Sequence, residues 1–214
     1  MTGAVDLPLI AVVGPTATGK SGLGLDLAER LDGEIVNADA MQLYRGMDIG
    51  TAKLAAEERR GIPHHQLDVL EVTEEASVAA YQLAARADVA AIRQRGRVPI
   101  FVGGSGLYVR AALDRLEIPP KDPAVRGSLE AQAAEVGADD MYRLLQQRDP
   151  AAAAQIEPGN VRRVIRALEV IELTGRPFSA SMPKREFVEP TVMIGLSLDR
   201  AALDLRIEAR VLHM

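Results

Sequence analysis

Gly14-Pro15-Thr16-Ala17-Thr18-Gly19-Lys20-Ser21 completes the pattern Gly-x-x-x-x-Gly-Lys-Ser. Its flanks give it meaning. Leu9-Ile10-Ala11-Val12-Val13 precedes it, a short β-branched run stopped by Gly14 that reads as a buried strand. Leu23, Leu27, Ala28 and Leu31 follow at helical spacing, so the loop joins a strand to a helix N-terminus. Free amides and the helix dipole attract anions there. Gly14, Thr16, Ala17, Thr18, Gly19, Lys20 and Ser21 are therefore the expected diphosphate-binding set. Lys20 can reach a terminal phosphate, and Ser21 can hold Mg²⁺. The loop does not say whether the diphosphate belongs to a nucleotide.

The same alternation continues along the chain. Glu34–Asn37 reads as a second strand, 54–60 as helix, and Leu67-Asp68-Val69-Leu70 as a weak third strand. Ser77 caps a helix running to Gly96, with Val78, Leu83, Ala87, Ala90 and Ala91 as its apolar stripe. Val98–Val102 is a fourth strand, closed by Gly103-Gly104. This pattern predicts an α/β fold with a parallel sheet and ligands at the C-terminal strand ends. After the proline-rich stretch 118–123 only helices are expected, at 123–136, 139–147, 150–156 and 160–173. Strand character returns at Thr191–Leu196, and Asp199 caps a last helix. The expected division is a core of 1–114 and 186–214 with an all-α insertion at 115–185. The last helix is still apolar where it stops, and the chain reads as cut short within an element.

Among its 214 residues, 48% are hydrophobic and none is cysteine, which excludes disulfides and thiolate metal sites. The start lacks the basic and apolar regions of a secretory signal, and no apolar run suits a membrane span. A soluble, cytoplasmic protein is expected. The formal net charge of −5 argues against nucleic acid, but the distribution matters more. Arg162, Arg163, Arg166, Arg176, Lys184 and Arg185 face only Glu169 and Glu172 within 160–185. Arg162 and Arg166 share a helical face, which suits a solvated surface, an anion clamp or an RNA contact.

Two further segments carry chemistry. Asp39 falls at the end of the second strand, where a carboxylate serves as general base or touches the Mg²⁺ sphere, or simply caps the next turn. The fourth strand ends Gly103-Gly104-Ser105-Gly106-Leu107-Tyr108, where many nucleotidases place an aspartate. A glycine turn there disfavours ATP hydrolysis and favours close approach of a ligand. Ser105 adds a hydroxyl at that mouth, or only turn chemistry. His64 and His65, adjacent on an extended segment, point opposite ways, so structural hydrogen bonding suits them better than a shared metal.

Together the loop, Asp39-Ala40-Met41-Gln42-Leu43-Tyr44-Arg45-Gly46-Met47-Asp48-Ile49-Gly50-Thr51-Ala52-Lys53, Pro63-His64-His65, the 103–108 turn and Arg163-x-x-Arg166-Ala167-Leu168-Glu169-Val170 resemble the tRNA dimethylallyltransferase family. The resemblance implies a P-loop kinase-like core with a helical insertion that grips the anticodon stem-loop. It implies Mg²⁺ as cofactor and transfer of dimethylallyl from its diphosphate to the adenine amine just 3′ of the anticodon. It assigns Asp39, Lys20 and Ser105 to catalysis. Asp39, Ala40, Met41, Gln42, Ser105, Arg126, Arg162, Arg163 and Arg166 fall to tRNA, and Arg206 and Arg210 to the diphosphate. A monomer is expected. The family often has serine at position 40 and threonine at 105, so any hydrogen bond at Ala40 must come from backbone. Its chains are longer, near 300 residues. The competing readings are an ATP-dependent small-molecule kinase, an adenylate isopentenyltransferase acting on free nucleotides, and an RNA-binding remnant without activity.

Overall fold

The computed structural model describes residues 8–181 and 186–212, so Lys184 and Arg185 lie outside the described residues. These form two compact units, one of residues up to 115 and from 186 on, the other of residues 116–181.

The first unit is built on five parallel strands: β1 (Leu9–Val13), β2 (Gly33–Asn37), β3 (His64–His65), β4 (Val98–Gly103) and β5 (Thr191–Gly195). Their order across the sheet is β3-β2-β4-β1-β5. Ile10 to Val13 pair with Ile100 to Gly103, and Leu9 to Val13 with Thr191 to Gly195. β1, β2 and β4 are buried almost throughout, as strands covered on both faces must be. Period-two alternation sorts their side chains. Ile10, Val12, Ile35, Ile100 and Val102 pack against Leu25 and Ala28 of α1 (Lys20–Leu31). Leu9, Ala11, Val36 and Phe101 pack against Tyr81, Ala85, Val89 and Ile92 of α2 (Val78–Gln94) and against α3 (Gly106–Leu113).

Four expectations change. The 54–60 helix is a single 3-10 turn, Ala56–Arg59, because Arg60 and Gly61 take positive φ and stop it. The weak strand at 67–70 does not form. Gln66 and Asp68 are both left-handed, which breaks extended alternation, and His64–His65 pair with Ile35–Val36 instead. In α2 the buried row is Tyr81, Ala85, Val89 and Ile92, whereas Leu83 is 72% exposed. Alanine-rich helices point weakly to their buried face, and Tyr81 is drawn inward because its hydroxyl donates to Asn37 O at 2.8 Å. Finally, α3 directly follows the glycine turn and was not expected.

The second unit holds α4 (Pro123–Val136), α5 (Ala138–Arg148), α6 (Pro150–Ala153), α7 (Val161–Thr174) and a 3-10 turn at Phe178–Ser181, with no strand among the described residues. Asp122, Asp149 and Asn160 cap α4, α6 and α7 through their side chains. Leu129, Met141, Leu145, Ile156, Val164 and Leu168 form its core. The chain then returns through β5 to α8 (Arg200–Leu212) in the first unit, where Asp199 Oδ1 accepts from Ala202 N at 2.9 Å.

Glu34 anchors the start of β2. Its side chain, 2% exposed, accepts from Arg95 at 2.6 and 3.0 Å and from Arg97 at 3.3 Å, and lies 2.6 Å from His65 Nε2. The Arg95 hydrogen bonds outweigh burial and hold its pKa down at about 2, against 4.5 ordinarily. Its stabilisation is therefore complete above about pH 4.5 and is lost as pH falls toward 2. Glu34→Gln should flatten that part of the acid-unfolding curve, as followed by circular dichroism against pH. An unchanged acid limb would contradict it.

Candidate active site

Three strand ends meet at one edge of the first unit. Gly14 opens the loop after β1 with φ 151°, and a Cβ there would stand 2.5 Å from Leu196 O. Ala17 and Gly19 also take positive φ, curling the backbone. Gly19 is the N-cap of α1 and offers no side-chain cap, so the first-turn amides keep their donors for a ligand. Thr18 is nearly buried, and its hydroxyl donates to Pro15 O at 2.8 Å, so it shapes the loop from within. Lys20 Nζ donates to Pro15 O at 2.6 Å. Burial lowers the Lys20 pKa and nearby Arg210 adds to this, while Asp39 works against both.

The end of β4 closes on the segment after β2. A Cβ on Gly103 would lie 2.2 Å from Ala38 O, so only glycine permits this approach. Ser105 N donates to Ala38 O at 3.2 Å, and Ala40 N donates to Ser105 Oγ at 3.0 Å. The backbone amide of Ala40 thus makes the hydrogen bond that its side chain cannot. Ser105 ties the two segments together and keeps its own proton to donate. Asn37 sets the geometry of Asp39: its Oδ1 accepts from Asp39 N and its Nδ2 donates to Asp39 O, both at 3.0 Å. Asp39 Oδ1 accepts from Met41 N at 3.0 Å, capping a short turn at Ala40–Leu43. The cap and the site position are therefore both real, since a carboxylate has further lone pairs to offer. Met41 is 49% exposed, and Gln42 Nε2 donates to Thr51 O at 3.0 Å.

α8 supplies the remaining charge. Arg206 Nη1 donates to Ala17 O at 3.4 Å. Arg210 reaches Thr16 Oγ1 at 3.4 Å and Thr51 O at 3.2 Å. Both arginines therefore face the loop. Thr16, Lys20, Ser21, Asp39, Thr51 and Arg210 line a cleft, with Ile35, Leu54, Leu67 and Val102 as an apolar wall. That mixed lining suits a small ligand. A second depression beyond Lys20 is bounded by Gly19, Ser21, Gly22, Arg206 and Arg210.

His64 also lines the cleft, with Nδ1 2.8 Å from Ile62 O, and burial lowers its pKa. His65 bonds to Glu34. Both histidines thus serve structural hydrogen bonds. Asn37 and Thr51 were missed at the sequence level. Asn37 carried a usable signal, since asparagine two residues before a polar residue commonly forms such turns. Thr51 acts through its carbonyl, which no side-chain pattern reports.

In the helical unit the expected tRNA arginines separate. Arg166 donates to Pro119 O, Pro120 O and Glu169 Oε2, each at 2.8 Å. Arg126 pairs with Glu130 at 2.9 Å and lies 3.7 Å from Glu169, which is fully buried. Both are held by partners within the unit. Arg162 and Arg163 are exposed and make no ion pair among the described residues.

A parallel sheet with a Gly-x-x-x-x-Gly-Lys-Ser loop after β1, a carboxylate after β2 and two arginines of α8 facing the loop defines a P-loop α/β protein. A family model described as IPP transferase matches residues 42–214, and the chain belongs to that family. It is 58% identical to a tRNA dimethylallyltransferase of Kineococcus radiotolerans, over 99% of this chain and 69% of that protein. It is similar to the crystal structure of a tRNA isopentenylpyrophosphate transferase from Bacillus halodurans, at 45% identity and TM-score 0.62, covering 97% of this chain and 66% of that one. A eukaryotic dimethylallyltransferase, captured acting on tRNA, gives TM-score 0.81 at 28% identity, covering 97% and 54%. The chain spans about two thirds of the length of the curated relatives it matches. At 99% coverage the Kineococcus alignment takes in the loop and Asp39, which precede the family model's match. No helix among the described residues is long and apolar enough to cross a membrane.

Proposed function

We propose that this chain transfers a dimethylallyl group from dimethylallyl diphosphate to the exocyclic amine of the adenine 3′ to the anticodon of tRNA. The observation that carries this is the meeting of three kinds of group at the cleft and the depression beside it. Lys20, Arg206 and Arg210 stand where a leaving diphosphate would gain charge. Ile35, Leu54, Leu67 and Val102 offer a surface for an isoprenyl tail. Asp39 stands within reach of both. The amine nitrogen attacks the allylic carbon, the carbon–oxygen bond breaks, and diphosphate departs with the electron pair. Asp39 orients the amine and takes its proton. Lys20, the loop amides and the two arginines stabilise the departing oxygen. The adenine leaves its stack to reach the cleft.

The donor set fits Mg²⁺: Ser21 supplies a hard oxygen beside the phosphate loop, and Mg²⁺ is commonly held by one or two protein oxygens plus phosphates. When bound, the ion would neutralise diphosphate charge.

Incubation with dimethylallyl diphosphate or ATP, each with and without tRNA, tests the reading. Pyrophosphate release should require donor and tRNA together. ADP release would support a kinase instead, and prenylated free AMP would support a nucleotide enzyme.

The arginines of the helical unit give a paired expectation. Arg163→Ala should weaken tRNA binding and lower the salt slope by about one counterion. Arg166→Ala should take from buried Glu169 its nearest cation and destabilise the helical unit by about 3 kcal/mol. Binding titrations at several salt concentrations, with urea unfolding of the same variants, separate the two effects. A normal slope for Arg163→Ala and normal unfolding for Arg166→Ala would reverse both assignments.

A further inference from the structure

The end of the long motif, Asp48-Ile49-Gly50-Thr51-Ala52-Lys53, is not explained by the chemistry above. Its lysine does not face the cleft. The Lys53 side chain is 2% exposed, and Nζ donates to Asp48 Oδ1 at 2.7 Å, Asp68 Oδ1 at 2.6 Å and Tyr44 O at 2.6 Å. Burial works against its charge, yet its hydrogen bonds to the two aspartates raise its pKa, so it stays protonated. Such a buried cation is weak evidence for stability, because apolar side chains of similar volume often do as well. What it gives is a fixed arrangement of chain.

The arranged chain is residues 47–53. Thr51 Oγ1 donates to Met47 O at 2.6 Å, Ala52 N to Ile49 O at 2.9 Å, and Lys53 N to Asp48 O at 3.1 Å. Ala52 is left-handed at φ 48°, a costly conformation for a residue with a Cβ. This tight fold presents one carbonyl, Thr51 O, to two side chains of the cleft: Gln42 Nε2 at 3.0 Å and Arg210 Nη2 at 3.2 Å.

We infer that Lys53 is a positioning residue: by tying Asp48, Asp68 and Tyr44 O together it fixes the Thr51 carbonyl, and that carbonyl aims Arg210 at the phosphate loop. Without Lys53 the two carboxylates lose their shared cation and the 47–53 turn relaxes. Thr51 O then no longer holds Arg210 toward Thr16. The inference rests on the loop being the diphosphate site.

Calorimetric titration with inorganic pyrophosphate and Mg²⁺ tests it on the wild type, Lys20→Ala, Lys53→Met, Arg210→Ala and the double variant Lys53→Met/Arg210→Ala. Lys53→Met and Arg210→Ala should each weaken binding about tenfold, and the double variant should bind no worse than Arg210→Ala alone. A purely structural Lys53 would lower the unfolding midpoint, leave the affinity of the folded protein unchanged and show no coupling to Arg210. That result, or effects that multiply, overturns the inference. If Lys53→Met does not fold, Asp48→Asn decides in its place, since that carboxylate is 58% exposed and its change leaves no core void. Asp48→Asn should then show the same coupling to Arg210. Lys20→Ala separates the two levels. Loss of binding there with no effect at Lys53 removes this inference alone. Retained binding there, or no binding by the wild type, removes the diphosphate site and the inference together.

Discussion

Lys20→Ala is expected to weaken binding of dimethylallyl diphosphate by about 10²-fold or more, because it removes a cation aimed at the ligand from a partly desolvated site. The fold should survive. The Lys20 amine makes one hydrogen bond, to Pro15 O of its own loop, and packs in none of the apolar clusters. Circular dichroism and thermal unfolding of the variant should therefore match the wild type while calorimetry shows the loss. The same cation sets an alkaline limit. Burial and Arg210 hold its pKa below 10.5, so its charge, and with it the affinity, should fade at lower pH than for an exposed lysine. Unchanged affinity in Lys20→Ala would remove the loop from the site.

The second large effect belongs to Asp39, where two roles can be told apart by two substitutions. Asparagine keeps the size and still caps Met41 N, so Asp39→Asn should bind both substrates and fold nearly as the wild type. It cannot take a proton, and single-turnover transfer should slow by about 10²-fold or more. Asp39→Ala loses the cap as well, and should cost about 1 kcal/mol of stability in addition. A carboxylate serving only as a cap predicts the opposite pattern: normal chemistry in Asp39→Asn, and loss confined to the unfolding of Asp39→Ala.

The sheet was legible because its strands are short β-branched runs stopped by glycine, and the loop because its spacing leaves little freedom. β1, β2, β4 and β5 lie within a residue or two of where the sequence puts them. The errors came where side-chain pattern loses its hold on the backbone. The 67–70 segment looks like a strand by composition, but Gln66 and Asp68 turn left-handed around it. α2 buries Tyr81 through a hydroxyl bond to Asn37 O, a tertiary contact that no periodicity contains. At the site, residues that would touch ligand directly were readable by type: lysine, aspartate, serine. Residues that act through backbone were not. Asn37, Thr51 and Lys53 work on carbonyls and amides brought together by folding. The helical unit shows the same limit for charge. Arg162, Arg163 and Arg166 look alike in sequence, yet one is fastened to buried Glu169 and two proline carbonyls while the others face solvent.

The central claim is that this cleft moves a dimethylallyl group onto tRNA. Mass analysis of nucleosides from tRNA incubated with the chain, dimethylallyl diphosphate and Mg²⁺ tests it most directly. The expected result is a mass gain of one dimethylallyl group, confined to the adenosine 3′ to the anticodon and absent with Lys20→Ala. An unmodified tRNA, or the same gain with the Lys20→Ala protein, would contradict it.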